Sequence, residues 1–310
     1  MRLRGPLPVL LVSLVLTSGC DLDSVLGETA RFREEFTYTC ALPAGGRLDL
    51  ENFNGSVEIM GWEKDEVRVS GLKFAGSEAD LRELKIEVTS DGQTARIRTV
   101  APSGRRSHAG ARYMLRAPHR VELDRIRTSN GSIRAEFIQG SARLETSNGS
   151  ITLRQLEGSV EARTSNGSIS LTEVRGDCVL RTSNGRISVE RLKGALEATT
   201  SNASVSARIL EPGVGRVIRL VTSNGSIELA LDAFQQNEIV AQTSNGSVTV
   251  RLPASLQARL RATTSNGAIH SDFPVLAGST GKDHLEGEIG GGGPLIRLAT
   301  TNGSIRVQRF

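Results

Sequence analysis

The hexapeptide Thr-Ser-Asn-Gly-Ser-Ile recurs along this chain, and its spacing limits the fold more than any other feature. It stands at Thr128–Ile133, Thr146–Ile151 and Thr164–Ile169. Variants follow at Thr182–Ile187, with Arg186 for Ser, and at Thr200–Val205, with Ala203 for Gly. Further copies occupy Thr222–Ile227, Thr243–Val248, Thr264–Ile269 and Thr300–Ile305, and an outlying one is Asn52–Val57 with Phe53 in the Ser slot. The motif asparagines are Asn54, Asn130, Asn148, Asn166, Asn184, Asn202, Asn224, Asn245, Asn266 and Asn302, ten of the 12 in the chain. From Asn130 four successive intervals are 18 residues, and the next three are 22, 21 and 21. Self-similarity at a short fixed period is the mark of stacked supersecondary units.

With the motif Thr as slot 1, slot 6 is Ile or Val, and slot 8 reads Ala135, Leu153, Leu171, Val189. Slot 11 reads Ile138, Leu156, Val174, Leu192, and slot 13 is Gly140, Gly158, Gly176, Gly194. Slots 15 and 17 are again apolar (Ala142, Val160, Cys178, Leu196, then Leu144, Ala162, Leu180, Ala198). Each alternating run predicts a short half-buried strand. Asn-Gly between such runs is also a strong hairpin signal, so a meander of hairpins competes. In a meander slot 10 would face apolar slot 15, yet slot 10 holds Phe137, Gln155, Glu173 and Arg191. The inward parity slips between slots 8 and 11. A slip of one residue reverses the faces of a flat sheet but can be absorbed in a coil.

The reading is therefore all-β: a single-stranded β-solenoid (β-helix) with about 18–22 residues per coil. Like residues then stack on like. Slots 1 and 3 share the inward parity of slots 15 and 17, which predicts Thr and Asn ladders satisfying the turn backbone. Gly at slots 4 and 13 suits corners of positive φ. Arg127, Glu145 and Arg163 share slot 18, placing opposite charges on neighbouring strands.

The flanks are less regular. Arg2 and Arg4 precede an apolar run, Leu7 to Leu16, then Thr17-Ser18-Gly19-Cys20. That run is too short to span a bilayer and reads as an export signal. A small residue before Cys20 resembles the lipobox of bacterial lipoproteins, which implies cleavage before Cys20 and its acylation; Thr17 departs from the usual Leu, and simple secretion is the alternative. The segments are a lipoprotein-type signal peptide over 1–19, a tether over 20–31, an irregular β region with a short helix over 32–120, and the solenoid over 121–310. Gly46, Leu48, Leu50, Asn54, Val57, Ile59 and Trp62 fit slots 13, 15, 17, 3, 6, 8 and 11, so a first coil lies far upstream. Ser77 is an N-cap candidate for a helix reaching Leu84, and Asp91-Gly92 predicts a hairpin. Phe273–Pro294 breaks the period and reads as an expanded coil or cap. Asp21 after Cys20 resembles an inner-membrane retention signal of enteric-type bacteria. Cys40 and Cys178 could pair in an oxidising compartment, though a buried free thiol at Cys178 fits its apolar slot better.

Two stretches carry a resemblance: Phe36-Thr-Tyr-Thr-Cys40 running on through Gly46 to Trp62, and Gly287-Glu-Ile-Gly-Gly-Gly-Gly-Pro-Leu-Ile-Arg-Leu298. Together with the repeat array they resemble the bacterial putative-adhesin β-solenoid family, domain of unknown function 4097. The resemblance implies a solenoid related to bacterial envelope and scaffold proteins, with no established catalytic residues.

Little else suggests chemistry. The Asn-Gly-Ser copies match the glycosylation sequon, but their spacing is architectural. His108, His119, His270 and His284 share no ligand spacing, so no metal and no cofactor is expected. His270 and Asp272, with Asp283, His284 and Glu286, could line a groove at the period break, although loop solvation is the simpler reading. Gly290–Gly293 lacks the context of a phosphate-binding loop. Arg105, Arg106 and His108 could touch an anionic lipid or polysaccharide. The formal charge is +4, from 38 basic and 34 acidic residues. With charges of both signs interspersed, that does not point to nucleic acid.

The functional expectation is a non-enzymatic cell-envelope lipoprotein whose solenoid is a structural, adhesion or interaction surface. Its partners would be a membrane, through Cys20, and an envelope protein or glycan; the oligomeric state stays open. It would face the periplasm from the inner or outer membrane, or lie outside a Gram-positive membrane. The alternatives are a polysaccharide-acting β-helix enzyme and a regulatory partner in envelope stress.

Overall fold

A computed structural model describes residues 32–101 and 109–310. The export signal, Cys20, the tether and the cluster of Arg105, Arg106 and His108 lie outside the described residues. The chain divides into two compact units, Met1–Thr146 and Ser147–Phe310.

The first unit contains β1 (Phe32–Ala41), β2 (Gly46–Glu51), β3 (Val57–Trp62), β4 (Glu66–Ala75), α1 (Glu78–Glu83), β5 (Lys85–Ser90), β6 (Thr94–Val100), β7 (Gly110–Pro118), β8 (Val121–Arg127), β9 (Ile133–Gln139) and β10 (Ala142–Glu145). One sheet has the order β1-β4-β7-β3-β9, the other β10-β8-β2-β6-β5. The β2–β3 coil stacks in parallel on β8–β9, with Leu48 on Leu123, a one-residue shift before Leu50 on Ile126, then Val57 on Ile133 and Ile59 on Ala135. The upstream coil is thus where its slots place it as far as Ile59; Trp62, assigned to inward slot 11, is instead half-buried with Lys64 and Arg68 over its ring, because no left-handed residue shifts the alternation of β3. Beyond it the strands turn antiparallel, as β1 pairs β4, β4 pairs β7 and β5 pairs β6. Ser77 caps α1 by accepting from the Asp80 amide, and Asp91-Gly92 closes the β5–β6 hairpin.

The second unit contains β11 (Ile151–Glu157), β12 (Val160–Arg163), β13 (Ile169–Arg175), β14 (Cys178–Arg181), β15 (Ile187–Lys193), β16 (Leu196–Thr199), β17 (Val205–Glu211), β18 (Ile218–Val221), β19 (Ile227–Leu231), β20 (Ile239–Gln242), β21 (Val248–Leu252), β22 (Ala258–Thr264), β23 (Ile269–Ser271), β24 (Leu276–Thr280), β25 (His284–Ile289), β26 (Leu295–Thr300) and β27 (Ile305–Arg309). Each coil gives one strand to each of two facing sheets. These run β11-β13-β15-β17-β19-β21-β27-β23 and β12-β14-β16-β18-β20-β26-β22-β25-β24. Pairing is parallel and residue-for-residue, Ile151 on Ile169 on Ile187 and Val160 on Cys178 on Leu196, so the meander is excluded. The fold is a β-solenoid. Its core is a run of stacked, fully buried Ile, Leu, Val and Ala, each large one contributing about 1.5–3 kcal/mol by leaving water.

The stacking order departs from sequence order at the end. The final coil, β26–β27, lies between β20–β21 and β22–β23. Segment Phe273–Pro294 forms the antiparallel β24–β25 hairpin on β22. Gly290 to Gly293 then turn the chain back at φ values of 63, 95, 84 and 155°.

Two backbone features explain the repeat. The parity slip occurs at slot 10, where Phe137, Gln155, Glu173 and Arg191 sit in the left-handed region at φ of 60, 52, 59 and 60°. The 18-residue coils carry this left-handed residue, and it lets slots 6, 8 and 11 all point inward. In β17, on the first longer coil, Val205, Ala207 and Ile209 alternate inward without a bulge, and the β15–β17 register shifts after Val189 to place Leu192 on Ile209. Slot 13 Gly has positive φ as expected, 147° at Gly176, but slot 4 of the regular coils does not. There the requirement is close approach: a Cβ on Gly167 would lie 1.8 Å from the Gly149 carbonyl oxygen.

Candidate functional site

The corner at slots 1–4 divides its polar work differently from the expected pattern. Thr at slot 1 is buried, whereas Asn at slot 3 is exposed in the second unit, because the chain leaves the strand at slot 2 and alternation stops. Each slot 1 hydroxyl donates to the slot 4 carbonyl of the adjoining coil: Thr164 to Gly149 at 2.9 Å, Thr182 to Gly167 at 3.0 Å, Thr222 to Ala203 at 2.8 Å. The Asn amides form a directional ladder, Asn166 donating to Asn148, Asn184 to Asn166, Asn202 to Asn184, Asn224 to Asn202 and Asn245 to Asn224, all within 2.7–2.9 Å. It continues through Asn302 to Asn245 and from Asn266 to Asn302. In the first unit Asn54 bridges Asn130 through the backbone and sends its amide to the Ala109 carbonyl. Asn52, in slot 1 of that copy, was not singled out by the spacing. Buried, it donates to the Gly55 and Ala111 carbonyls and accepts from Thr99, whose hydroxyl also meets Tyr113 Oη. The ladders are scaffold; they leave the sheet faces for contact.

The titratable residues at the period break form two local contacts. His270 meets Asp272 at 3.2 Å beside β23. On the β24–β25 hairpin, Ser279 Oγ lies 2.8 Å from His284 Nε2, and His284 Nδ1 lies 2.9 Å from Asp283 Oδ1. The order of groups is that of a serine hydrolase, but the setting is not. The Asp283 side chain is 66% exposed, and the Gly281 amide that could serve an oxyanion is bonded to the His284 carbonyl. Such triads depend on a buried acid and preorganised free donors. His284 holds the Asp283 carboxyl below its ordinary range through their hydrogen bond, which is a loop contact. Cys40 and Cys178 are free thiols; burial pushes the Cys178 thiol up to about 12, so it is not a nucleophile. Among the described residues no group of His, Cys, Asp or Glu is arranged to hold a metal ion.

The more developed site is on the outer face of the β1-β4-β7-β3-β9 sheet. A groove of about 710 Å³ is lined by two rows of side chains, one from each outward position. Register sets the first row as Thr37, Ser70, Met114, Glu58, Arg134 and the second as Thr39, Arg68, Arg116, Met60, Glu136. Met60 and Met114 are 45% and 59% exposed, unusual for apolar side chains of that size. Arg68 lies over the Trp62 ring at 5.6 Å, and the Trp62 indole donates to the Glu66 carbonyl, which fixes the ring. Arg134 pairs with Glu136 at 3.5 Å. No sequence signal marked this face, because its strands are joined only through pairing.

Parallel coils bordered within each unit by antiparallel strands, with buried Thr at slot 1 and a ladder of exposed Asn in the second unit, define a repetitive β-solenoid class. The chain belongs to the Toastrack family, domain of unknown function 4097, whose sequence model matches residues 46–308. Solved structures similar to it over 89% of this chain include a putative cell adhesion protein from Clostridium sporogenes ATCC 15579, at 12% identity, 100% of that chain and a TM-score of 0.27. Putative adhesins from Bacteroides fragilis NCTC 9343 (11% identity, 97% of that chain, TM-score 0.40) and Parabacteroides distasonis ATCC 8503 (11%, 97%, 0.33) are also similar. No curated protein matches the sequence.

Proposed function

We propose that this chain is an exported, non-enzymatic interaction protein, held at a membrane through acylated Cys20, whose solenoid presents a preformed binding face. The observation that carries the reading is the groove on the β1-β4-β7-β3-β9 sheet, with its exposed methionines and adjacent arginines. Its groups suit recognition more than proton transfer. Guanidinium does not give up its proton in proteins, hydroxyls and thioethers neither donate nor take protons near neutral pH, and the two carboxylates of the groove, Glu58 and Glu136, stand in different rows with Arg134 beside both. The sheet supplies rigidity, since every outer side chain of the groove stands on a hydrogen-bonded strand, antiparallel through β1, β4 and β7 and parallel from β7 through β3 to β9. The basic n-region, short apolar run and Gly19-Cys20 pair support the anchor, and acyl chains on Cys20 would give stable attachment.

Mass spectrometry of the N-terminal peptide from membrane fractions tests the anchor. The expected species begins at Cys20 with acyl chains; a free, unmodified N-terminus downstream of residue 20 would overturn it. Turnover on a panel of glycans and esters, with no Ser279-dependent product expected, tests the non-enzymatic part.

A further inference from the structure

We propose that Arg68 and Arg116 form the centre of a subsite for an acidic polysaccharide, a chain of sugars carrying carboxylates. The inference rests on the reading of this face as a binding surface and is independent of the anchor.

The two arginines are Cα partners on β4 and β7 and project from the same face. Like charges directly opposite each other on one sheet face repel. Nothing in their row relieves this: the flanking positions are Thr39 on β1 and Met60 on β3. The first carboxylate in the row is Glu136, one strand past Met60, and it pairs with Arg134. Other like-charged Cα partners on the outer faces have carboxylates of their own: Arg163 and Arg181 pair with Glu161 and Glu197, and Arg175 and Lys193 with Glu157 and Glu211. Among the described residues no ion pair joins Arg68 or Arg116 to a carboxylate, and the nearest one in the adjacent row, Glu58, stands opposite Met114 rather than either arginine. A ligand anion supplies the partner.

The surroundings narrow the class. The guanidinium fork matches a planar carboxylate with two parallel hydrogen bonds. Arg68 shares the Trp62 ring with Lys64, at 5.6 and 5.1 Å, a contact that restrains its side chain and lowers the freedom lost on binding. Thr37, Thr39 and Ser70 line the same groove and offer hydroxyls to hydroxyls. Met60 and Met114 provide adaptable apolar contact for the C–H faces of a sugar ring. Carboxylate, hydroxyl and C–H recognition side by side fits a uronate-type chain better than a phosphate group alone or an acidic peptide.

The test is calorimetric titration of the full chain with a six-sugar oligogalacturonate at low salt. The fully methyl-esterified oligomer, inorganic phosphate, poly-glutamate and phosphatidylglycerol vesicles are the other arms. Oligogalacturonate is expected to bind, and its uncharged ester about tenfold more weakly or not at all. Arg68→Gln and Arg116→Gln should each weaken binding about tenfold or more, with the unfolding midpoint kept or raised because repulsion is relieved. Arg134→Gln, whose partner is already internal, should change it less than about twofold. Failure of oligogalacturonate to bind would overturn the proposal, as would binding that ignores both substitutions. So would equal or tighter binding of phosphate, poly-glutamate or vesicles through the same arginines. In that last case the face remains a binding surface and only the ligand class falls.

Discussion

Thr164 donates its hydroxyl to the carbonyl oxygen of Gly149 at 2.9 Å, from one coil to the next, and the bond is buried. Asn166, two residues on, makes an equally short bond to Asn148 in solvent. The two ladders look alike but should differ in energy. Thr164→Val keeps the shape and strands a buried carbonyl, so a loss of about 1–3 kcal/mol is expected. Asn166→Ala should cost only about 0.5–1 kcal/mol, because water replaces the lost partner. Urea midpoints of the two variants check the order; a larger loss at Asn166 would reverse the assignment.

At Gly167 slot 4 tolerates little growth, although the chain accommodates Ala203 in the same slot of a later coil. A Cβ on Gly167 would overlap the Gly149 carbonyl, backbone that cannot yield without separating two coils. Gly167→Ala is expected to destabilise by about 1–3 kcal/mol or more. Hydrogen exchange should show the opening centred on the Gly149 and Gly167 corners.

Slot 10 predicts a gain. Gln155 is exposed and held at φ 52°, a conformation that costs an ordinary residue about 1–2 kcal/mol. Gln155→Gly removes that strain at some cost in chain entropy, for a net gain of about 0.5–1 kcal/mol. Gln155→Val, β-branched, should lose stability. Thermal unfolding of both variants checks the sign.

The alkaline limb of stability should depend on Cys178. Its thiol is raised to about 12 in the folded chain, first by burial and then by Asp177, against 9.0 as its ordinary value. An acid with a raised folded pKa stabilises the fold below its unfolded pKa. That contribution is lost as pH climbs from about 9 towards 12, because only the unfolded thiol then ionises. Cys178→Ala should flatten the fall over this window. Iodoacetamide mapping at pH 8 should leave Cys178 unmodified in the native chain and label it in urea.

Removing Leu295–Phe310 should do more than shorten the stack. Without β26–β27, β21 keeps only β19 and β22 only β25 as a partner, and Asn266 loses its acceptor. The expected product is rapid proteolysis within residues 243–290, followed by gel and mass spectrometry, while the Asn148–Asn202 coils stay protected.

What could be read from the sequence follows from what repeats. Slots 6, 8, 11, 15 and 17 predicted strands and facing because burial alone sets them, and the coil from Gly46 to Ile59 was found the same way. The slip at slot 10 was visible as a broken parity, but Phe137, Gln155, Glu173 and Arg191 share no left-handed preference that would name the mechanism. Asn was assigned inward because strand alternation was carried through a corner where it does not hold. The order of the last coils was hidden because Asn302 and Asn266 sit in equivalent repeats, and either would fit beside Asn245. Arg68 and Arg116 are joined only by the β4–β7 register, which no local pattern encodes.

The place of the final coil has a consequence for how the protein is made. Synthesis delivers a chain from its N-terminus, so the segment from Leu295 arrives after β20–β23. Its berth, though, lies between strands that have already emerged. The stack cannot be finished by adding turns in order: β22–β23 must wait, or dock early on β20–β21 and then be displaced. A chain stopped short is left with an unfilled apolar seam that quality-control proteases can recognise. The topology thereby makes delivery of the β26–β27 segment a condition for reaching the native stack.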